Sequence, residues 1–354
     1  MSQGTSTVHV SCYCGKYVAN VIVNADSTIQ KIPCHCTSCR RWTGGLYVYR
    51  LPTTQEPLGI QRLTEYRVTP LSTKYFCPDC GSHIFGKTGQ KWGVSPGVVD
   101  GEELQPSVEI VGHEFVEDTG DGGFTSWLTH WGGKELPRWK GEAHESELLP
   151  PEWPSADDNQ RNQDTEDDKL WAGCHCGGVA FYITHPNEAS RQPRRAPFPE
   201  LMVPGDKAEN PEGQTWWLQA GGTKYLAGLC TCRSCCKATG FDIQAWAFVP
   251  ECNVFQPNGE PLDVNAGTLK KRYSEKIDGA YRCFCGTCGA TVFWGSDNRD
   301  GVVDISVGLF KGKGARVEDW LVFGKRVSYV QEATNKKLVQ ELGRHFTITG
   351  WPKA

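Results

Sequence analysis

The chain lacks most of what the common enzyme and membrane classes require. No apolar run approaches the roughly 20 residues that span a bilayer, and the opening stretch Met1 to Val8 has no basic-then-apolar pattern of a secretory signal. A membrane partner is therefore not expected. The 37 basic and 41 acidic residues leave a formal charge of -4, so there is no global attraction to nucleic acid. A phosphate-binding loop, a dinucleotide glycine motif and a Ser-His-Asp order are all missing, which removes the sequence support for kinase, NAD-dependent and triad hydrolase chemistry. Helical signal is scarce too. Glu332 to Leu342, stopped at Gly343, is the one helix the pattern predicts.

Cysteine is what the chain has in excess, with 17 in 354 residues. Without a secretory signal, a reducing compartment is expected, cytoplasmic with the nucleus left open. There, closely spaced thiols serve as metal ligands more often than as disulfides. Two clusters stand out, Cys34-His35-Cys36-Thr37-Ser38-Cys39-Arg40-Arg41 and Cys230-Thr231-Cys232-Arg233-Ser234-Cys235-Cys236-Lys237. Three thiolates so close can converge on one Zn²⁺, which leaves one tetrahedral position for water or substrate. Each cluster is flanked by a pair of hooks. Cys12 and Cys14 precede the first cluster and Cys77 and Cys80 follow it; Cys174 and Cys176 precede the second, and Cys285 and Cys288 follow it. Two hooks supply four sulfurs, the composition of a closed structural zinc site. The spacing therefore predicts two zinc ions per repeat, about four per chain.

The recurring order makes the chain a tandem repeat. The expected organisation is a first zinc domain over 1–140, an acidic, proline-bearing linker over 141–169 and a second zinc domain over 170–354. The second carries an insertion near 185–214, read as a mobile surface loop. Short β-rich runs such as Tyr17 to Val23, Gly45 to Leu51 and Ala245 to Val249 dominate, so the fold class is mainly β with few helices. Two matters stay open in the residues themselves. A fourth ligand such as His113 or His130 could close the first cluster, and Cys236 could close the second, although Cys236, Cys252 and Cys283 read chiefly as packing residues.

The order C-x-C, then C-H-C-x-x-C-R followed by Thr43-Gly44, then F-C-x-x-C-G over Phe76 to Gly81, resembles the family of glutathione-dependent formaldehyde-activating enzymes and centromere protein V. The second half resembles it too, with Thr239-Gly240 and Phe284 to Gly289. It departs in having Thr231 in place of His35 and Cys236 in place of Arg40. The resemblance implies two zinc-stapled Mss4-like, or β-tent, domains, a structural zinc at the hooks and an exchangeable zinc at the three-cysteine cluster. It further implies carbon–sulfur lyase chemistry on a thiol such as glutathione and a small aldehyde. Cys34, Cys36 and Cys39 would carry the reaction with His35 between them, and Arg40 or Arg41 would offset the charge of a bound thiolate. The competing expectation is a non-catalytic zinc scaffold with a protein partner.

Overall fold

The computed structural model describes residues 5–24, 28–101, 108–150, 152–154, 168–204 and 208–348. The first half runs β1 (Thr5–Ser11), β2 (Val18–Asn24), β3 (Ile29–Lys31), α1 (Thr37–Thr43), β4 (Leu51–Pro52), β5 (Thr64–Thr69), β6 (Ser72–Phe76), β7 (His83–Thr88), β8 (Lys91–Val94), β9 (Val99–Asp100) and β10 (Val108–Ile110), then the small hairpin β11 (His130–Trp131) and β12 (Lys134–Glu135). The second runs β13 (Lys169–Gly173), β14 (Ala180–Thr184), β15 (Leu218–Gln219), β16 (Lys224–Cys230), α2 (Arg233–Thr239), β17 (Gln244–Pro250), β18 (Val254–Phe255), β19 (Leu269–Tyr273), β20 (Ala280–Cys285), β21 (Thr291–Ser296), β22 (Val302–Ser306), β23 (Leu321–Ser328) and α3 (Lys336–Leu342). The protein is mainly β, built of short strands with three short α-helices among the described residues.

The repeat written in the cysteines is also written in the sheets. The first half forms an antiparallel sheet in the order β4-β8-β7-β6-β5, and the second repeats that path as β17-β22-β21-β20-β19. Even the irregularities recur. A register shift falls between Tyr75 and Phe76 against β7, and another between Cys283 and Phe284 against β21. Each bulge lies just before a C-x-x-C, where the extra residue bends the strand and adds twist. The second sheet is larger because β15 and β16 extend it, with β23 laid parallel to β16.

The two halves are joined by reciprocal contacts. Gly308 N–H donates to the Gly44 carbonyl at 3.1 Å, and Gly97 N–H donates to the Gly240 carbonyl at 2.9 Å. Gly44 and Gly240 end α1 and α2 in the left-handed region, at φ 83° and 84°. At that point a side chain would strike the other half, where β7 or β21 passes. Phe284 packs over Gly81 and Phe76 over Gly289 in the same crosswise manner. One continuous core, including Val10, Trp42, Phe85, Phe181, Ala247 and Phe293, therefore draws on both repeats.

Three expectations change. The pattern located only the last helix, and that helix starts at Lys336, because Val330–Glu332 is a separate 3₁₀ turn and Asn335 caps the Leu338 N–H at 3.0 Å. The insertion near 185–214 runs over the surface but is anchored: Ala196 and Leu201 are buried with Trp216 and Trp217, which follow it, in a cluster with Cys230, Cys235, Trp246 and Phe248. The indole N–H of Trp216 bonds to the Ala196 carbonyl at 2.9 Å and that of Trp217 to Ser190 at 3.0 Å, which ties the segment down. The acidic stretch begins as an ordered turn, where Lys140 N–H donates to Glu147 and Leu149 N–H to Arg138. Residues 155–167 of the expected linker lie outside the described residues.

Candidate metal centres

Cys12 and Cys14 sit in the turn between β1 and β2, where Cys12 N–H bonds to the Tyr17 carbonyl at 3.0 Å and its thiol accepts the Tyr17 N–H at 3.3 Å. Cys77 and Cys80 sit on the knuckle between β6 and β7, closed by Gly81 N–H to the Cys77 carbonyl at 2.9 Å with Gly81 at φ +76°. The second repeat copies both turns. Cys174 takes the Val179 N–H at 3.3 Å, and Gly289 N–H closes on Cys285 at 2.8 Å. The turns bring Cys12, Cys14, Cys77 and Cys80 into one group and Cys174, Cys176, Cys285 and Cys288 into another, each with its sulfurs within 4.8 Å of one another. Separations of 3.5 Å for Cys12–Cys14 and 3.8 Å for Cys14–Cys77 are far beyond a disulfide bond. They approach the value of about 3.8 Å that a tetrahedron with Zn–S bonds of about 2.3 Å requires. All seventeen cysteines are unpaired, and the donor sets fit zinc.

The three-cysteine clusters are built on helix starts that the sequence pattern did not reveal. Cys34 is bridged to Val48 by hydrogen bonds of 2.8 and 3.0 Å, Cys36 is the N-cap of α1 and accepts the Cys39 N–H at 3.3 Å, and Cys39 lies in the first turn. Cys230 ends β16, Cys232 caps α2 and accepts the Cys235 N–H at 3.3 Å. A thiol takes the place of the usual Ser, Thr or Asp cap, and the free N–H groups of the turn favour its thiolate. Cys34, Cys36 and Cys39 form one three-sulfur group, Cys230, Cys232 and Cys235 the other, each within 4.8 Å. Next to the Cys34 and Cys39 thiols, Cys36 is pulled down to about 3.

The candidates for a fourth ligand are placed elsewhere. His113 Nε2 donates to the Leu128 carbonyl at 2.8 Å, so its Nδ1 is left to accept the Nε2–H of His35 at 3.0 Å. Both imidazoles are fully buried, and burial holds His113 down to about 4 and His35 well below its usual value. His35 is thus a neutral donor in a buried chain behind the cluster. His130 contacts the Thr129 hydroxyl at 2.9 Å. Cys236 is fully buried and its thiol donates to the Asp242 carbonyl at 3.1 Å and the Thr231 carbonyl at 3.4 Å, so it lies outside the second sulfur group.

Arg40 was expected to face a bound thiolate. Its Nε instead donates to the His35 carbonyl at 3.1 Å and its Nη2 to the Asp118 carbonyl at 2.9 Å, which fixes the cluster loop against the segment after β10. Arg40 still acts electrostatically on Cys36, and two further cations act on the sulfurs from the strands. Lys74 on β6 and Arg50 just before β4 both lie over the Trp42 ring, at 5.6 and 5.0 Å. Burial and then Arg50 push Lys74 down to about 7, while the Cys39, Cys34 and Cys36 thiols push it up; burial takes Arg50 to about 10. At the second cluster Arg282 on β20 donates to Cys235 Sγ at 3.2 Å and to Ser234 Oγ at 3.2 Å. Burial lowers Arg282, and the Cys235 and Cys232 thiols outweigh that and raise it. A basic residue three places before each C-x-x-C was the signal that could have located Lys74 and Arg282.

The clusters also differ in cover. The three residues of the first are all half-buried, with Cys36 the most open thiol, whereas Cys230 and Cys235 are buried against Leu201 of the insertion's cluster. Beside the first lies a cleft of about 880 Å³ between the halves, lined by Thr37, Arg40 and Arg41 on one side and Lys169, Lys311 and Trp320 on the other.

These features define a class, a duplicated β protein whose thiols gather in four groups suited to metal ions. The chain matches the family of glutathione-dependent formaldehyde-activating enzymes over residues 7–114 and 218–323, more than half its length, and belongs to that family. No curated protein matches it. No helix among the described residues is long and apolar enough to cross a membrane.

Proposed function

We propose that the chain is a zinc-dependent carbon–sulfur lyase-like enzyme that joins a small aldehyde to a glutathione-like thiol, or cleaves the S-hydroxyalkyl adduct, and that the first three-cysteine cluster carries the reaction. The observation that supports this most is the partial exposure of Cys34, Cys36 and Cys39 with no fourth protein ligand among the described residues. A bound zinc would supply there an open position that takes a thiol and favours its ionisation. In the forward direction the thiolate sulfur forms a bond to the carbonyl carbon, the C=O π pair moves to oxygen, and that oxygen takes a proton; nothing is oxidised or reduced.

The chain's own residues hold the geometry. α1 fixes Cys36 and Cys39 in one turn, and the His35–His113–Leu128 chain and the Arg40 clamp hold the loop behind them, so His35 and Arg40 are positioning residues in this reading. The cleft reaches Thr37, next to Cys36, and its mixed lining, with Arg41, Lys169 and Lys311 beside Glu117, Asp118, Asp168 and Asp319, suits the carboxylates and the amino group of a glutathione-like thiol. The unpaired cysteines favour a reducing compartment, cytoplasmic or nuclear. For the second repeat a structural role is favoured, because Arg282 is bonded to its cluster and Cys230 and Cys235 are buried.

The test is adduct formation from formaldehyde and glutathione followed by NMR. Cys36→Ser should lower turnover at least about 100-fold, in the range of losing a metal ligand, and Cys232→Ser should leave most of it. The reverse ranking, or no turnover by the zinc-loaded wild type with any of a panel of thiols and aldehydes, overturns the proposal.

A further inference from the structure

Lys74 and Arg282 occupy equivalent places, each three residues before the first cysteine of its own knuckle. Their neighbours correspond as well, since Lys74 pairs with Gly86 on β7 and Arg282 with Trp294 on β21. Arg282 is 5% exposed, lies 5.5 Å from the Tyr13 ring and 5.9 Å from the Trp246 ring, and bonds directly to Cys235. Lys74 is 6% exposed and makes no hydrogen bond to sulfur among the described residues. A second cation accompanies it. Arg50 follows Cys39 at the distance at which Trp246 follows Cys235, so one repeat has a guanidinium where the other has an indole. Gly86 makes room for that guanidinium, whose Nε and Nη2 are buried with no hydrogen-bond partner.

The charges then close differently at the two clusters. Three thiolates around a divalent metal carry a formal -1. One cation, Arg282, is bonded to the second cluster, whereas Lys74 and Arg50 both act on the first in addition to Arg40, which reaches Cys36. We infer that Lys74 and Arg50 prepare the first cluster for one further anionic ligand, a thiolate, while Arg282, bonded to a sulfur of its own cluster, offsets the charge of the three thiolates already there. This rests on both clusters holding a divalent metal, but not on the reaction that follows thiol binding. A buried charge needs a compensating partner; Arg282 has one in Cys235, although its Nε and Nη1 are unpartnered, whereas neither Arg50 nor Lys74 is bonded to a sulfur, which favours an anion that reaches them.

The experiment uses the full chain loaded with cobalt(II), whose thiolate charge-transfer absorption reports each added sulfur, and 2-mercaptoethanol as a probe free of carboxylates. The wild type should bind one thiol per chain. Lys74→Met and Arg50→Met should each weaken that binding about ten-fold, the lower end of the effect of groups around a metal site. Arg50→Lys should stay within about three-fold of the wild type, since it keeps the charge. Arg282→Met should leave thiol affinity unchanged and speed release of one metal ion to a chelator. Wild-type thiol affinity in Lys74→Met and Arg50→Met overturns the inference, as does equal loss in Arg50→Lys and Arg50→Met, which would assign Arg50 to packing. Thiol binding that follows these charges without any turnover would contradict the lyase reading and uphold the inference.

Discussion

Asp242 shows how a single buried group makes stability depend on pH. It is 2% exposed, accepts hydrogen bonds from the Tyr49 and Thr334 hydroxyls, and burial pushes its carboxyl up to about 6. Because the native value lies above the unfolded one, the native state holds the proton more tightly. The contribution is full below about pH 4 and is lost as pH rises through about 6. Asp242→Asn keeps an acceptor for Tyr49 without ionising. Its stability relative to wild type should rise by about 1–2 kcal/mol between pH 5 and pH 8 in urea unfolding; the same offset at both pH values would contradict the assignment. At this scale the sequence was most informative. Spacing alone singled out all fourteen thiols that the structure gathers into four groups. It could not place Arg40, His35 or Cys236, because the direction of a side chain depends on the partners its loop meets.

α1 and α2 are the elements least visible in the sequence. Each spans seven residues, too few for an amphipathic period to show, and each starts on a cysteine cap, a residue type that signals metal binding before it signals a helix. Thr43-Gly44 and Thr239-Gly240, read in the sequence only as part of the family's pattern, end them, since glycine supplies the left-handed terminal residue. The helices matter for assembly as well as for ligation. α1 ends against the 3₁₀ turn Val307–Leu309 and α2 against Pro96–Val98 of the other half. A methyl group at Gly308 would run into the Gly45 carbonyl, and one at Gly97 into the Cys236 carbonyl. Gly308→Ala and Gly97→Ala should each cost about 1–3 kcal/mol in urea unfolding, the range for overpacking. A cost below about 0.5 kcal/mol, typical of surface sites, would show that the halves do not depend on this close approach.

At the scale of the whole molecule, duplication was legible because cysteine order survives divergence. The crosswise packing was not, since it pairs residues such as Gly44 with Gly308 that have no local pattern to link them. The insertion was misread for a related reason. Its proline and arginine content looks like that of a solvated loop, and most of it is at the surface, but Ala196 and Leu201 anchor it beside the second cluster against Trp216 and Trp217, which follow it. The two equivalent clusters differ: one is half-buried with Arg50 and Lys74 nearby and unbonded to its sulfurs, and the other is more deeply buried and bonded to Arg282. We propose that, of four zinc sites, the one at Cys34, Cys36 and Cys39 is accessible and the other three are shielded or fully ligated. The check is zinc release from the intact chain by a mild chelator, followed together with thermal unfolding. About four zinc ions per chain are expected, one of which leaves first while unfolding stays cooperative, with that first loss abolished in Cys36→Ser. Release of all the zinc in a single phase that coincides with unfolding, or a total of no more than two ions per chain, would contradict it.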